Sequence, residues 1–432
     1  MKEDYGNMFN VPELNKRLLF TFIMFLVFRI TAHVPTPGVD AHVLATIFEQ
    51  AKGTALGLFN MFSGGAIKNF SIISLGIMPY ISAAIILELF TAVSPELAKL
   101  KKEGEAGRRK ISEYTRYGTV LISALQGIGI AIGLQAMHGP GGANVVIWHG
   151  LPFVLFTALT MTTGSVFLMF IGEQITERGI GNGISLIIFA GIVARLPAAL
   201  GNTFRLISAG EMSVLSLFVI IVLAVGIVAL IVFVELSQRR IPVQYPRRMV
   251  GKRLYGGQTS YIPLKINVSG VIPPIFASSI LLFPATASKL INIPFLKNIS
   301  DYIMPGTLVY SIVYIALMFF FAYFYTAIVF NPKEIADNLK KNNGFVPGIR
   351  PGKYTANYLD WVLSRLTFGG AIYLSFVCVL PWILIRNFNV PFYFGGTALL
   401  IVVQVALDTI SQIQSHLYMR NYEGFFKNRR SR

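Results

Sequence analysis

Long apolar stretches separated by short polar segments dominate this sequence. Ten of them approach or exceed the roughly 20 mostly apolar residues that a helix needs to cross the hydrocarbon layer of a membrane. They lie at 18–34, 72–92, 117–137, 151–172, 183–200, 214–234, 269–288, 307–330, 369–386 and 391–411. Several contain Gly or Pro, which spanning helices tolerate when neighbouring helices cover the backbone. The pattern predicts an all-α polytopic membrane protein with ten transmembrane helices.

The composition supports a membrane protein over a soluble enzyme. Of the 432 residues, 54% are hydrophobic and only 13% are charged, whereas a soluble domain carries about 25% charged residues. The single cysteine, Cys378, lies in an apolar run and has no partner, so no disulfide framework is expected. Three acidic residues, Glu3, Asp4 and Glu13, precede the first apolar stretch and no small-residue cleavage site follows it, so we do not expect a cleaved signal peptide.

Basic residues are distributed unevenly between the predicted spans. The chain has 37 Lys and Arg against 20 Asp and Glu, and 29 of the 37 fall in the N-terminal segment, the alternate loops and the C-terminal tail. Cytoplasmic loops of membrane proteins carry such an excess of Lys and Arg. We therefore expect both termini and the loops at 93–116, 236–268 and 331–368 to face the cytoplasm.

Two pairs of segments indicate an internal repeat. Residues 76–87 match residues 270–281 at six of twelve positions, and residues 183–188 resemble residues 396–401. Two halves of five spans each, an odd number, require the second half to be inverted in the membrane, and such repeats place a pathway at their interface. The sequence thus predicts an N-terminal half at 1–205 and a C-terminal half at 206–432.

Isoleucines occupy the matching positions of this repeat. Two aligned pairs, and the residues one helical turn before the first member of each pair, give Ile77, Ile81, Ile184, Ile188, Ile275 and Ile401. An ion or solute transporter would place polar groups at such an interface, whereas a ring of isoleucines is typical of a gate that excludes water. Ordinary helix packing is the alternative interpretation of the same spacing.

The residues distinguish three classes of function only in part. An intramembrane enzyme needs paired carboxylates, a His-based metal set or a Ser/His arrangement within the spans. The acidic residues Glu88 and Asp408 instead fall near span ends, where they can reach the interface. No catalytic residue, metal or cofactor is therefore expected, and the residues alone leave a polypeptide channel and a secondary transporter open.

Three loops have distinctive patterns. Residues 53–70 are too short and too polar to span, and fit either a re-entrant segment or a plain external loop. The loop at 236–268 alternates basic with β-branched or aromatic residues, which predicts an exposed hairpin. In the loop at 331–368, two Pro-Gly pairs flank Arg350 and should hold it at a stiff tip. Both basic loops are candidate docking points for a protein or for ribosomal RNA.

Five motifs along the chain point to one family. They are G-I-M-P-Y-I at 76–81, G-I-G-N-G-I-S at 179–185, G-V-I-P-P-I-F-A-S-S at 270–279, P-G-I-R-P-G at 347–352 and F-Y-F-G-G-T at 392–397. Together they resemble the SecY family of bacterial protein-translocation channels over nearly the full length. The compact loops and short tail are similar to those of Gram-positive members. One departure is Pro274 after Pro273, which could alter the helix near Ile275.

The resemblance implies a SecY/Sec61-like clamshell whose pore ring consists of the six isoleucines. It implies a plug at about 53–70, which includes Leu58, Phe59, Met61 and Phe62. It also implies a lateral gate between the second and third spans and the seventh and eighth, with Ser82, Gln126 and Asn267 as its polar residues.

The same resemblance implies partners and a location. The basic residues that it assigns to contacts with the SecA motor or the ribosome are Arg240, Arg247, Arg248, Lys252, Arg253, Arg350 and Lys353. The other implied partners are SecE, SecG, signal peptides, unfolded secretory polypeptides and membrane lipids. The expected function is a passive channel in the bacterial cytoplasmic membrane. It would pass secretory polypeptides across the membrane and release membrane segments sideways.

Overall fold

The computed structural model describes residues 12–40, 43–44, 65–66, 69–135, 144–210, 213–246, 248–250, 253–255, 259–290, 307–388 and 396–430. The helices are α1 (Pro12–Thr31), α2 (Met78–Val93), α3 (Pro95–Lys102), α4 (Glu105–Gln135), α5 (Leu151–Arg178), α6 (Gly183–Val193), α7 (Leu196–Ser208), α8 (Val214–Leu236), α9 (Ile272–Leu290), α10 (Leu308–Val329), α11 (Pro332–Lys341), α12 (Lys353–Phe388) and α13 (Gly396–Arg430). The strands are β1 (Gln238–Gln244), β2 (Arg248–Val250), β3 (Arg253–Tyr255) and β4 (Thr259–Lys265).

The helices confirm the prediction of an all-α polytopic membrane protein. Within the described ranges, seven helical stretches are long and apolar enough to cross a membrane, or eight if α2 and α3 together form one span. A bend of 105° separates that pair. The other predicted stretches also contain helix, but α1 begins with charged turns and the apolar part of α9, Ile272–Leu281, is short. The full count of ten spans stays a prediction.

The second predicted span begins earlier than its helix, and two predicted loops contain helices. Residues 72–77 of the second predicted span form turns, and helix α2 begins only at Met78. Hydropathy also could not detect the helices of the predicted loops, because their sequences contain no long apolar run. The loop at 93–116 contains α3 and the start of α4, and the loop at 331–368 contains α11 and the first turns of α12.

The chain divides into two compact units that are discontinuous in sequence. The first unit comprises 1–212, 279–310 and 401–432, and the second comprises 213–278 and 311–400. In the first unit, α5 packs against α1, α4 and α6. A buried cluster that includes Leu75, Phe153 and Met161 fills the space beside α5.

The second unit contains a small module built from both basic loops. Strands β1 and β4 pair antiparallel from Gln238 opposite Lys265 to Gln244 opposite Thr259, which confirms the predicted hairpin. Its inward residues Ile241 and Val243 pack in one cluster with Val346, Leu359 and Leu363 from the 331–368 loop. Two backbone hydrogen bonds between Gln244 and Phe345, of 2.9 and 3.0 Å, join the loops directly. We call this assembly the cytoplasmic module, after its predicted location.

Candidate functional site

The first pair of repeated segments adopts the same backbone conformation. Gly76 and Gly270 both have a left-handed backbone, with φ of 60° and 64°, which glycine adopts without the steric cost of a side chain. Each glycine precedes a helix whose second residue is a proline, Pro79 in α2 and Pro273 in α9. The first turn of a helix accommodates proline because its N–H would have no helical partner there.

This shared helix start places Ile81 and Ile275 in equivalent positions. The Ile81 N–H donates to the Ile77 carbonyl over 3.1 Å, and the Ile275 N–H donates to the Val271 carbonyl over 3.4 Å. Pro274 also lies in the first turn of α9, so it removes no hydrogen bond from the interior of the helix. The additional proline therefore leaves the face of Ile275 equivalent to that of Ile81.

The second pair of repeated segments also begins helices in a similar way. A Cβ atom at Gly183, the first residue of α6, would lie 2.8 Å from the Gly172 carbonyl carbon of α5. A Cβ atom at Gly396, the first residue of α13, would lie 2.9 Å from the Val377 carbonyl carbon of α12. Both helices thus start in close contact with the backbone of the preceding long helix, where only glycine fits.

The six isoleucines of the predicted pore ring are mostly buried. Ile77, Ile81, Ile188 and Ile401 are buried in the first unit, and Ile275 is buried in the second. Ile184 is half-buried and lies against Gly172. The predicted ring combines residues of both units, whereas the burial of each isoleucine is observed within its own unit. The ring therefore stays a prediction.

The three predicted gate residues differ in their hydrogen bonding. Ser82 is half-buried on α2. Gln126, on α4, has a buried side-chain oxygen without a hydrogen-bond partner among the described residues. A buried acceptor left without a donor costs about 1–3 kcal/mol, so its position requires an explanation.

Asn267, by contrast, has both ends of its amide occupied. Its Nδ2 donates to Glu235 Oε1 over 2.7 Å and to the Gly270 carbonyl over 3.2 Å. Its Oδ1 accepts from the Gly270 N–H over 3.1 Å and from the Ser269 hydroxyl over 3.2 Å. We call Glu235, Asn267, Ser269 and Gly270 the Asn267 network.

The predicted docking residues fall in the cytoplasmic module. Arg240, Arg350 and Lys353 are exposed. Gly348 and Gly352, both with positive φ, flank Arg350, and the Thr355 hydroxyl donates to its carbonyl over 2.9 Å. The backbone of Arg248 and Arg253 is in β2 and β3. Arg247 and Lys252 lie outside the described residues, as do the plug residues Leu58, Phe59, Met61 and Phe62.

Sequence reasoning missed two polar contacts and the joining of the two loops. Glu235 directly follows an apolar stretch, and this position could have marked it as a candidate buried carboxylate. Nothing in the local sequence identifies Asn267 as its partner. Arg116 and Glu173 form a two-pronged ion pair between α4 and α5, with Nε–Oε1 and Nη2–Oε2 distances of 2.9 Å. In the described part of the chain, no three His, Cys, Asp or Glu side chains are grouped to hold a metal ion.

Comparison with known proteins gives a consistent result. The SecY family model matches residues 71–410. The chain is 52% identical over 424 residues to the protein translocase subunit SecY of Vibrio cholerae, which covers 96% of this chain and 95% of that protein. It is 44% identical over 428 residues to the SecY subunit of Aquifex aeolicus, with 99% of this chain and 100% of that protein covered.

Solved structures share the fold. A protein-conducting channel matches with a TM-score of 0.65 at 16% identity, over 96% of this chain and 97% of the other. Sec61 in a canine ribosome–channel complex from the endoplasmic reticulum matches with a TM-score of 0.64 at 17% identity, over the same shares of the two chains.

Proposed function

The chain belongs to the SecY family, and we propose that it forms the passive pore of a translocase that moves secretory polypeptides across the bacterial cytoplasmic membrane. It is a channel subunit of a protein translocase: its relatives are named protein translocase subunits, and a protein-conducting channel shares its fold. The observation that carries the pore assignment is the repeated helix start. Equivalent turns present Ile81 and Ile275 in the first turn of α2 and α9.

The proposed seal is a ring of the six isoleucines at the interface of two inverted halves, 1–205 and 206–432. Water in a narrow apolar constriction has too few hydrogen-bond partners, so an empty pore of this kind stays dry. Branched apolar side chains also offer no specific hydrogen bond to a passing polypeptide. The ring therefore suits a channel that passes many sequences and leaks few ions. Leu58, Phe59, Met61 and Phe62 would form a plug beside it.

The proposed lateral gate uses Ser82, Gln126 and Asn267. Support comes from Gln126, whose buried oxygen has no donor among the described residues. A polypeptide backbone or a polar gate residue that approaches α4 can supply that donor. The site would thus favour a segment that is leaving the pore toward the lipid.

The proposed docking surface is the cytoplasmic module. Its exposed cations Arg240, Arg350 and Lys353 suit an anionic partner, either the acidic surface of the SecA motor or the RNA of a ribosome. The joined loops support the assignment because a rigid module can transmit the load from a bound partner. SecE and SecG are the remaining proposed subunits. Both termini are proposed to be cytoplasmic, as the distribution of Lys and Arg predicts.

Asparagine substitution in the ring tests the seal. Ile275→Asn and Ile401→Asn should wet the constriction, raise ion leak through reconstituted channels and ease the passage of substrates with poor signal sequences. Ile275→Val is the matched control, since it keeps the position apolar and costs about 0.5–1.5 kcal/mol of stability. Leak and substrate selectivity unchanged from the parent chain in both asparagine variants would reject the isoleucine ring.

A further inference from the structure

Glu235 is a buried carboxylate at the end of a long apolar helix. It lies in the last turn of α8 and is only 5% exposed. The described structure gives it a close donor in Asn267, whose Nδ2 lies 2.7 Å from Oε1. Since a buried charge is costly unless it is hydrogen-bonded, this contact strongly restrains Asn267, which is 3% exposed.

Asn267 in turn fixes the start of α9. Its Oδ1 accepts the N–H of Gly270, and its Nδ2 donates to the carbonyl of the same residue. Gly270 is the left-handed residue that directs the chain into α9. The orientation of the first turn, which carries Ile275, therefore depends on Asn267, and through it on Glu235.

The same contact closes the base of the hairpin. Glu235 lies just before β1 and Asn267 just after β4. The Ile266 N–H donates to the Ser237 carbonyl over 3.2 Å beside them. A force applied to the hairpin, which carries Arg240, would thus be transmitted to α9 through the Asn267 network.

A second donor lies on the helix that packs against Asn267, and it has no acceptor among the described residues. The hydroxyl of Tyr373, on α12, is buried and has no hydrogen-bond partner among the described residues. Tyr373 and Glu235 interact electrostatically. One turn earlier on α12, a Cβ atom at Gly370 would lie 3.1 Å from the Ile266 carbonyl oxygen, so this helix packs directly on the segment that contains Asn267. A buried polar group without a partner calls for a role.

We propose that Glu235 is a positioning residue for the gate, held by Asn267 in the arrangement seen here and by Tyr373 once the start of α9 moves. The proposal rests on the proposed function, because it assigns the movement to the helix that carries Ile275. Exchange of the Asn267 donor for the Tyr373 donor would give the start of α9 two arrangements. A partner bound to the hairpin can then shift the equilibrium between these arrangements without contacting the gate.

The first test measures hydrogen exchange at the Ser269 and Gly270 amides of the full chain in lipid nanodiscs, with no translocation step. Asn267→Asp places two carboxylates against each other and should speed exchange at least about tenfold, as loss of a charge-assisted hydrogen bond implies. Adding Glu235→Gln should restore slow exchange, since the new amide can donate to the new carboxylate. Exchange unchanged in Asn267→Asp, or not restored in the double variant, would overturn the positioning role.

The second test separates the two donors by the sign of their effects on conductance in planar bilayers. Asn267→Asp should raise the basal conductance. Tyr373→Phe should leave both the basal conductance and the amide exchange unchanged, and should reduce conductance induced by an added signal peptide several-fold. A normal peptide response in Tyr373→Phe would overturn the role of Tyr373. If the parent chain gave no peptide response at all, the proposed function would fail, while the exchange result would still decide the contact between Glu235 and Asn267.

Discussion

Replacing Gly183 by alanine should push the start of α6 away from α5. The new methyl group would lie 2.8 Å from both the Gly172 carbonyl carbon and the Ile175 Cβ, whereas carbon atoms in contact prefer about 3.5–4.0 Å. The neighbouring backbone cannot turn aside easily. Thr176 Oγ1 accepts from the Gly183 N–H and donates to the Gly172 carbonyl, each over 2.9 Å. A displacement of roughly 1 Å therefore has to break this bridge or shift a helix.

The expected cost follows from that overlap. Overpacking of a well-packed site costs typically about 1–3 kcal/mol, and the backbone contact places Gly183→Ala toward the upper end. Gly396→Ala should behave alike, because its methyl group would lie 2.7 Å from the Cys378 Cα. Each change also moves proposed ring residues, Ile188 on α6 and Ile401 on α13, so both variants should leak ions.

Thermal unfolding in detergent can be followed with a dye that reacts with thiols, since Cys378 is buried and is the only cysteine. Gly183→Ala should lower the Tm by several degrees. The matched control is Gly201→Ala in α7, where the added methyl group meets no atom within 4 Å. It should keep or slightly raise the Tm, because alanine favours helix by up to about 1 kcal/mol. Equal Tm values and equal ion leak in the two variants would refute the close-packing argument.

Two further predictions concern the cytoplasmic module. Arg350→Glu should impair motor-driven translocation while the protein accumulates normally, since it replaces attraction with repulsion at an exposed tip. The control Lys333→Glu makes an equal charge change elsewhere in the module and should have less effect. Full ATP-dependent translocation by Arg350→Glu would contradict this prediction. A cysteine at position 350 in a Cys378→Ser background should react with an impermeant reagent only in inverted vesicles, and labelling from outside intact cells would reverse the predicted topology.

Features that are encoded within short segments of the chain could be predicted from the sequence. Apolar runs located the helices within the membrane region, and alternation along 236–268 predicted the pairing of β1 with β4. The match between 76–81 and 270–275 predicted equivalent segments, which have the same glycine conformation and helix start. The apolar runs and the alternation are patterns within one segment, and the match compares two short segments that lie 194 positions apart.

Contacts between distant residues could not be predicted in this way. Glu235 and Asn267 are separated by 32 positions, and Arg116 and Glu173 by 57. Nothing in either local pattern encodes the partner. The packing of Val346 against the hairpin is likewise a consequence of the fold. The Gram-positive resemblance of the loops and the role of 53–70 stay predictions.

Photocrosslinking to a stalled polypeptide tests the central claim most directly. A photoreactive amino acid at position 81 or 401, in a channel that holds a secretory chain stalled in transit, should crosslink to that chain. The same group at Phe218, an exposed position on α8, should not. Crosslinks from both ring positions that vanish when the chain is released are the predicted result. Their absence from the ring, or equal crosslinking at position 218, would contradict the assignment of these isoleucines to the pore.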